Sequence, residues 1–343
     1  MKQLAAIAQS LTLLNRVLWK NRPLYVHYGI THRCNLRCRM CSLYQQGDAR
    51  RELSVEQISR LFDFFKSLGV AYVSIGGGEP AVRPDLAAVC GMLLSKGLRV
   101  RVLTNGTALT REALQRLSAA GVREVSVSLD TLDAKKFDAI CGVAGSFARV
   151  LESVDAVASI FPRRGRLLLL NTVVSALNIG ELPRLHDFAG QHGYFISFLP
   201  LEGCGDKAMV FSPDDHGAID RTYAALLRLK RGRSRLFNSS RFLELSRQYL
   251  KTGRKPFECD AGRLYFSVGP DGGISVCHHF RPIMDASTFD LKKLASRAFR
   301  KSAGELSSHC LGCLRPCWAE ISLLAHHRAS FFEMARLFRE ARR

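Results

Sequence analysis

The run THRCNLRCRMC at positions 31–41 sets Cys34, Cys38 and Cys41 at C-x3-C-x2-C spacing. Thiolates are soft ligands that favour iron–sulfur clusters and soft metals over hard cations. Three at this spacing can hold three corners of an iron–sulfur cube and leave the fourth iron without a protein ligand. Such an open iron can bind a substrate or cofactor. Zinc is the alternative, but it takes four protein ligands, or three and a water.

The run follows an apolar segment at 24–30, the first of six strand candidates. The others are 71–75, 98–103, 124–129, 166–172 and 194–199, with helices expected to begin near Ser54, Pro84, Thr110, Ser146 and Asn178. Ser54 to Gln57 and Asn178 to Glu181 have capping-box spacing. Apolar strands alternating with helices predict a parallel sheet covered by helices. A flat doubly wound sheet is the competing arrangement. Six βα units with polar motifs at the strand ends fit an α/β fold with a partial (β/α)6 TIM-like barrel better. The chemistry then belongs at the C-terminal ends of the strands, where the cysteine loop lies.

Composition narrows the setting. Eleven cysteines, eight of them in two groups, indicate metal ligation in a reducing compartment over a disulfide framework. Cys90, Cys141 and Cys204 are scattered and read as buried small side chains. No apolar run reaches the roughly 20 residues that a membrane-spanning helix needs. The N-terminal segment lacks a strong cleavage site and reads as an amphipathic helix. The formal charge of +20 permits anionic partners without selecting one. No helix-turn-helix or RNA-binding signature is present, so no specific nucleic acid is expected.

After the second strand comes Gly76-Gly77-Gly78-Glu79-Pro80. Glycines allow close approach of backbone to a ligand. Together, the three-cysteine run and this GGEP sequence resemble the radical S-adenosylmethionine (SAM) superfamily over positions 24–200. The resemblance implies a [4Fe–4S] cluster held by Cys34, Cys38 and Cys41, with SAM on its open iron. Reductive cleavage of SAM would then release a 5′-deoxyadenosyl radical. The same resemblance implies that Gly77, Gly78 and Glu79 support the SAM amino group. Asn105 closes the third strand, and Ser126, Ser128 and Asp130 alternate onto one side of the fourth. Ser128 and Asp130 become candidate SAM contacts, Asn171 a candidate for SAM or the substrate, and Leu199 an adenine neighbour. Met40 stands where many relatives carry an aromatic residue and can cover adenine with its thioether. Arg33, Arg37 and Arg39 would favour an electron donor's acidic surface or the reduced cluster, or serve as plain surface.

A second group contains Cys259, Cys277, Cys310, Cys313 and Cys317. Two short strands joined at Pro270-Asp271-Gly272-Gly273 bring Cys259 and Cys277 together. The layout, including Gly272-x4-Cys277, resembles the twitch form of the SPASM domain, which implies one auxiliary [4Fe–4S] cluster. The preferred ligands are Cys259, Cys277, Cys310 and Cys313, with Cys317 spare or exchanging with Cys310; structural zinc is the alternative. His278 and His279 would line the cavity, supply second ligand-sphere contacts or lie at the surface. Glu202 and Tyr265 are weaker cavity candidates.

The expected organisation is an N-terminal amphipathic helix (1–23), a core barrel (24–200), a basic helical bridge (201–254), an auxiliary-cluster domain (255–320) and a basic amphipathic tail (321–343). The tail can cover the barrel, grip a partner or lie on an anionic membrane, which leaves a cytoplasmic protein open to peripheral membrane contact. The resemblance implies hydrogen-atom abstraction from a peptide or natural-product precursor. It further implies a flavodoxin- or ferredoxin-type electron donor and, for a peptide, a separate leader-recognition protein or docking to the basic surface. Lipid-pathway and RNA substrates are the enzymatic alternatives; a non-enzymatic iron–sulfur interaction protein is the alternative of a different class.

Overall fold

The computed structural model describes residues 23–41, 43–46, 52–162, 165–203, 206–232, 234–284, 301, 303–306, 310 and 312–340. The expected N-terminal helix and Cys204 lie outside the described residues, apart from position 23.

The six expected strands form: β1 (Tyr25–Thr31), β2 (Tyr72–Gly77), β3 (Arg99–Thr104), β4 (Glu124–Ser128), β5 (Leu167–Val174) and β6 (Phe195–Pro200). Each pairs in parallel with the next in sequence. The C-terminal hairpin also forms, as β7 (Tyr265–Val268) and β8 (Ile274–Ser275). Instead of standing apart, β7 pairs in parallel with β1, giving the order β6-β5-β4-β3-β2-β1-β7-β8. Among the described residues no pairing joins β6 to β8. The barrel is therefore open.

Helices cover the outer face. In α1 (Val55–Leu68), Ser54 accepts from the Gln57 N–H at 3.3 Å, while the Gln57 side chain accepts from the Ser54 N–H at 2.8 Å. Gly69, at φ 107°, ends the helix in a conformation that suits glycine. Ile58, Leu61, Phe62 and Phe65 repeat at helical spacing and are buried. Each such side chain contributes about 1.5–3 kcal/mol. The remaining barrel helices are α2 (Leu86–Ser95), α3 (Arg111–Ala119), α4 (Ala134–Cys141), α5 (Ser146–Ile160) and α6 (Leu182–Gln191).

Two local expectations change. The sequence reading runs directly from β4 to the helix at Ser146, and α4 was not foreseen. Asp133 caps it by accepting from the Lys136 N–H at 2.9 Å, and Gly142 ends it at φ 68°. The capping box at Asn178 does not form. Its side-chain oxygen accepts from the Ser175 N–H at 2.9 Å, and its amide donates to the carbonyls of Asp130 (2.7 Å) and Val173 (2.8 Å). Asn178 thus ties two strand ends together, and α6 starts after a short turn at Ile179–Glu181.

Beyond β6, Ser212 and Asp215 open α7 (His216–Arg231), followed by α8 (Ser240–Thr252), α9 (Pro316–His326) and α10 (Arg328–Glu340). On α10, Met334 and Leu337 pack with Leu167, Phe195 and Phe237. Leu167 and Phe195 begin β5 and β6. The tail's apolar face accordingly covers the barrel at the end opposite the cysteine loop. Between them Glu124 meets Arg101 at 3.0 Å and also binds Arg99 and the Tyr72 hydroxyl, a buried ionic layer across the lower barrel.

Candidate functional site

The cysteine loop leaves β1 and is fixed from two sides. The N–H groups of Arg37 and Arg39 donate to the carbonyls of Cys141 (3.0 Å) and Ile140 (2.9 Å) at the end of α4. A Cβ at Gly142 would stand 2.6 Å from the Arg37 carbonyl oxygen, so glycine is needed there for space as well as for its positive φ. On the other side, Gly78 and Glu79 donate their N–H groups to the carbonyls of Thr31 (2.7 Å) and Arg33 (2.8 Å). A Cβ at Gly78 would lie 2.1 Å from the Arg33 carbonyl oxygen. The two motifs are one structure, joined backbone to backbone.

Cys34 accepts from the Leu36 N–H at 3.4 Å and from the Asn105 amide at 3.7 Å. Asn105 also donates to Asn35 (2.9 Å), which in turn donates to Thr107 (2.8 Å). Burial pushes Cys34 and Cys41 above the ordinary thiol value. Cys38 is held below it by a hydrogen bond from the Cys141 thiol. Cys141 is buried as expected, but it sits against a site cysteine, which its isolated place in the sequence did not signal. Cys34, with two N–H donors on its sulfur, suits a soft cluster. Arg33 pairs with Glu52 at 2.9 Å and Arg39 with Asp206, while Arg37 is exposed.

Glu79 is fully buried and receives three donors: the N–H groups of Ala81 (2.9 Å) and Asn105 (2.7 Å) and the Thr104 hydroxyl (2.7 Å). Burial raises its carboxyl above the ordinary range. Gly77, Gly78, Asn105, Asn171, Leu199 and Met40 are half-buried and Ser128 is exposed. Ser128 pairs in register with Asn171. Ser126 and Asp130, by contrast, are buried. β4 ends at Ser128, and the Asp130 carboxylate turns to accept from the Val173 N–H at 2.7 Å. Burial raises Asp130 to about 7.

The second cysteine group lies at the β7–β8 hairpin and the start of α9. Cys259 meets the Tyr265 hydroxyl at 2.9 Å, and Cys277 accepts from the His279 N–H at 3.4 Å. Cys277 and Cys313 lie in one buried group, with Cys259 packed against it. Burial raises Cys277 to about 12 and also pushes Cys313 up. Cys317 packs against the buried group that contains Tyr25, Cys277 and Cys313. Glu202 accepts from Arg315 Nε (2.8 Å) and the Leu314 N–H (3.2 Å), with His279 at 3.5 Å. Burial alone would raise its carboxyl, but Arg315 and His279 outweigh that and hold it low.

Between the two cysteine groups lie residues that the sequence reading missed. Arg315 stands over the Trp318 ring at 5.7 Å, and its charge reaches Cys41 as well as Cys313. Trp318 faces His27 edge-on at 6.3 Å. Burial lowers His27 to about 4. The available signal was Arg315 within the cysteine run and one of only two tryptophans directly after it.

The pattern of the Radical SAM superfamily matches residues 28–189. The AdoMet-dependent heme synthase of Methanosarcina barkeri is 33% identical over 204 residues, 58% of this chain and 57% of that relative. The PqqA peptide cyclase of Ruegeria pomeroyi is 30% identical over 269 residues, 75% of this chain and 68% of that relative. In fold, Streptococcus suis SuiB bound to S-adenosylmethionine superposes with a TM-score of 0.65 at 16% identity, over 90% of this chain and 76% of that one. The chain belongs to the Radical SAM superfamily, whose members use a [4Fe–4S] cluster and SAM.

Proposed function

We propose that this chain reductively cleaves SAM and abstracts a hydrogen atom from a peptide or natural-product precursor. The carrying observation is the joint between the cysteine loop and the glycine loop, through Gly78 to Thr31 and Glu79 to Arg33. Cys34, Cys38 and Cys41 would hold the cluster, which would supply the electron for cleaving SAM into methionine and a hydrogen-abstracting 5′-deoxyadenosyl radical. The chain's own residues bind, orient and exclude water.

Gly77 and Gly78 offer backbone to the SAM amino group, and buried Glu79 fixes the shape of their loop. Ser128 and Asn171 take polar groups of SAM, Asp130 fixes the strand ends beside them, and Met40 and Leu199 cover the adenine. An auxiliary [4Fe–4S] cluster on Cys259, Cys277, Cys310 and Cys313 is supported by the packing of Cys259, Cys277 and Cys313 in one group. A flavodoxin- or ferredoxin-type protein would deliver the electron.

The peptide reading rests on the relative that is named a peptide cyclase. Membrane attachment through the tail loses support, because Met334 and Leu337 are buried against the barrel. No helix among the described residues is long and apolar enough to cross a membrane. The test is anaerobic reconstitution with deuterated candidate peptides encoded beside the gene. Deuterium in 5′-deoxyadenosine supports the reading; SAM cleavage that no peptide stimulates refutes the substrate class.

A further inference from the structure

We propose, resting on the auxiliary-cluster reading above, that Trp318 and His278 donate hydrogen bonds to the sulfur of that cluster and set its reduction potential. Trp318 is 2% exposed, and its indole Nε1 has no hydrogen-bond partner. Both ring nitrogens of His278 are likewise buried and unpartnered. The two rings lie 4.4 Å apart. A buried donor without an acceptor is unfavourable, and two side by side mark a place where an acceptor belongs.

The polar neighbours among the described residues are already engaged. His27 meets Ser74 at 2.9 Å; the Tyr265 hydroxyl meets Cys259 at 2.9 Å and Ser322 at 3.3 Å. Glu202 is held by Arg315 and Leu314. Trp318 packs in one buried group with Cys277 and Cys313, and His278 directly follows Cys277. Cluster sulfides and ligating thiolates are hydrogen-bond acceptors that would come within this group. Indole can only donate, so an electron-rich sulfur suits it. Donors to cluster sulfur stabilise the reduced, more negative state and raise the potential.

The test uses the full chain with Cys34, Cys38 and Cys41 replaced by alanine, so that one cluster remains for anaerobic EPR redox titration. Trp318→Phe keeps a ring beside Tyr265 and removes the N–H; His278→Leu removes a donor and His278→Gln restores one. The midpoint should move to more negative values in the Phe and Leu variants and return toward the parent in the Gln variant. ENDOR should lose an exchangeable-proton coupling in Trp318→Phe. An intact cluster with unchanged midpoint and couplings in both variants overturns the inference, whatever happens to substrate KM. Absence of iron and sulfide from the trio-less parent overturns the auxiliary-cluster reading itself. Should Trp318→Phe lose its cluster, the two His278 variants decide the question.

Discussion

Glu79 Oε2 accepts a hydrogen bond from the Asn105 N–H at 2.7 Å, joining the glycine loop to the end of β3. Asn105 in turn reaches Cys34 and Asn35. The buried carboxylate therefore connects the loop proposed for SAM to the loop proposed for the cluster.

Glu79→Ala would leave three donors, on Ala81, Asn105 and buried Thr104, without that acceptor. Each unsatisfied group costs about 1–3 kcal/mol. Thermal or denaturant unfolding should show a loss of at least about 2 kcal/mol, and equilibrium dialysis should show weaker SAM retention. Unchanged stability would contradict the clamp.

Gly142→Ala should act on the cysteine loop from beneath. The new Cβ meets the Arg37 carbonyl at 2.6 Å, and φ 68° disfavours any side chain. The strained conformation alone costs about 1–2 kcal/mol. Iron bound at the N-terminal trio should fall while the second cysteine group keeps its own. Full iron at both sites would show that α4 does not hold the loop.

The five C-terminal cysteines should not be equivalent. With both clusters loaded the chain carries about eight irons. Cys313→Ala should bring the content to about four, whereas Cys317→Ser should leave it near the parent value. Iron and sulfide analysis separates these outcomes.

Glu320 provides a pH test of how the tail is docked. Its Oε1 accepts from the Ser239 N–H at 2.7 Å, and burial raises its pKa from 4.5 to about 7. The folded state therefore binds more protons than the unfolded state between these values. This contribution is fully present below about pH 4.5 and is lost as pH rises through about 7. Glu320→Gln keeps an acceptor and removes the charge, so it should stabilise the chain at pH 8 by up to about 3 kcal/mol. The difference from the parent should shrink toward pH 5. A variant less stable than the parent at pH 8 would refute this sign.

The six barrel strands were legible because both faces of a parallel sheet are covered, making each strand a short apolar run between turn signals. Ser54 and Gln57 were legible because a capping box is local. α4 was missed although Asp133, Phe137, Ile140 and Gly142 carried cap, spacing and stop. The pairing of β7 with β1 joins segments more than 200 positions apart, and no local pattern encodes it. Asn178 shows the same limit: its spacing fits a cap, but tertiary carbonyls compete for its amide. The site cysteines were visible as spacing. Their supports were less so, because Cys141, Arg315 and Trp318 gain meaning only once α4, the hairpin and α9 converge.

The most direct measurement is EPR of the reduced, anaerobically reconstituted chain before and after adding SAM, beside a Cys34→Ala control. SAM should alter one cluster signal in the parent and 5′-deoxyadenosine should be released, with both effects lost in the control. A trio that holds only zinc, or a parent spectrum identical with and without SAM, would contradict it.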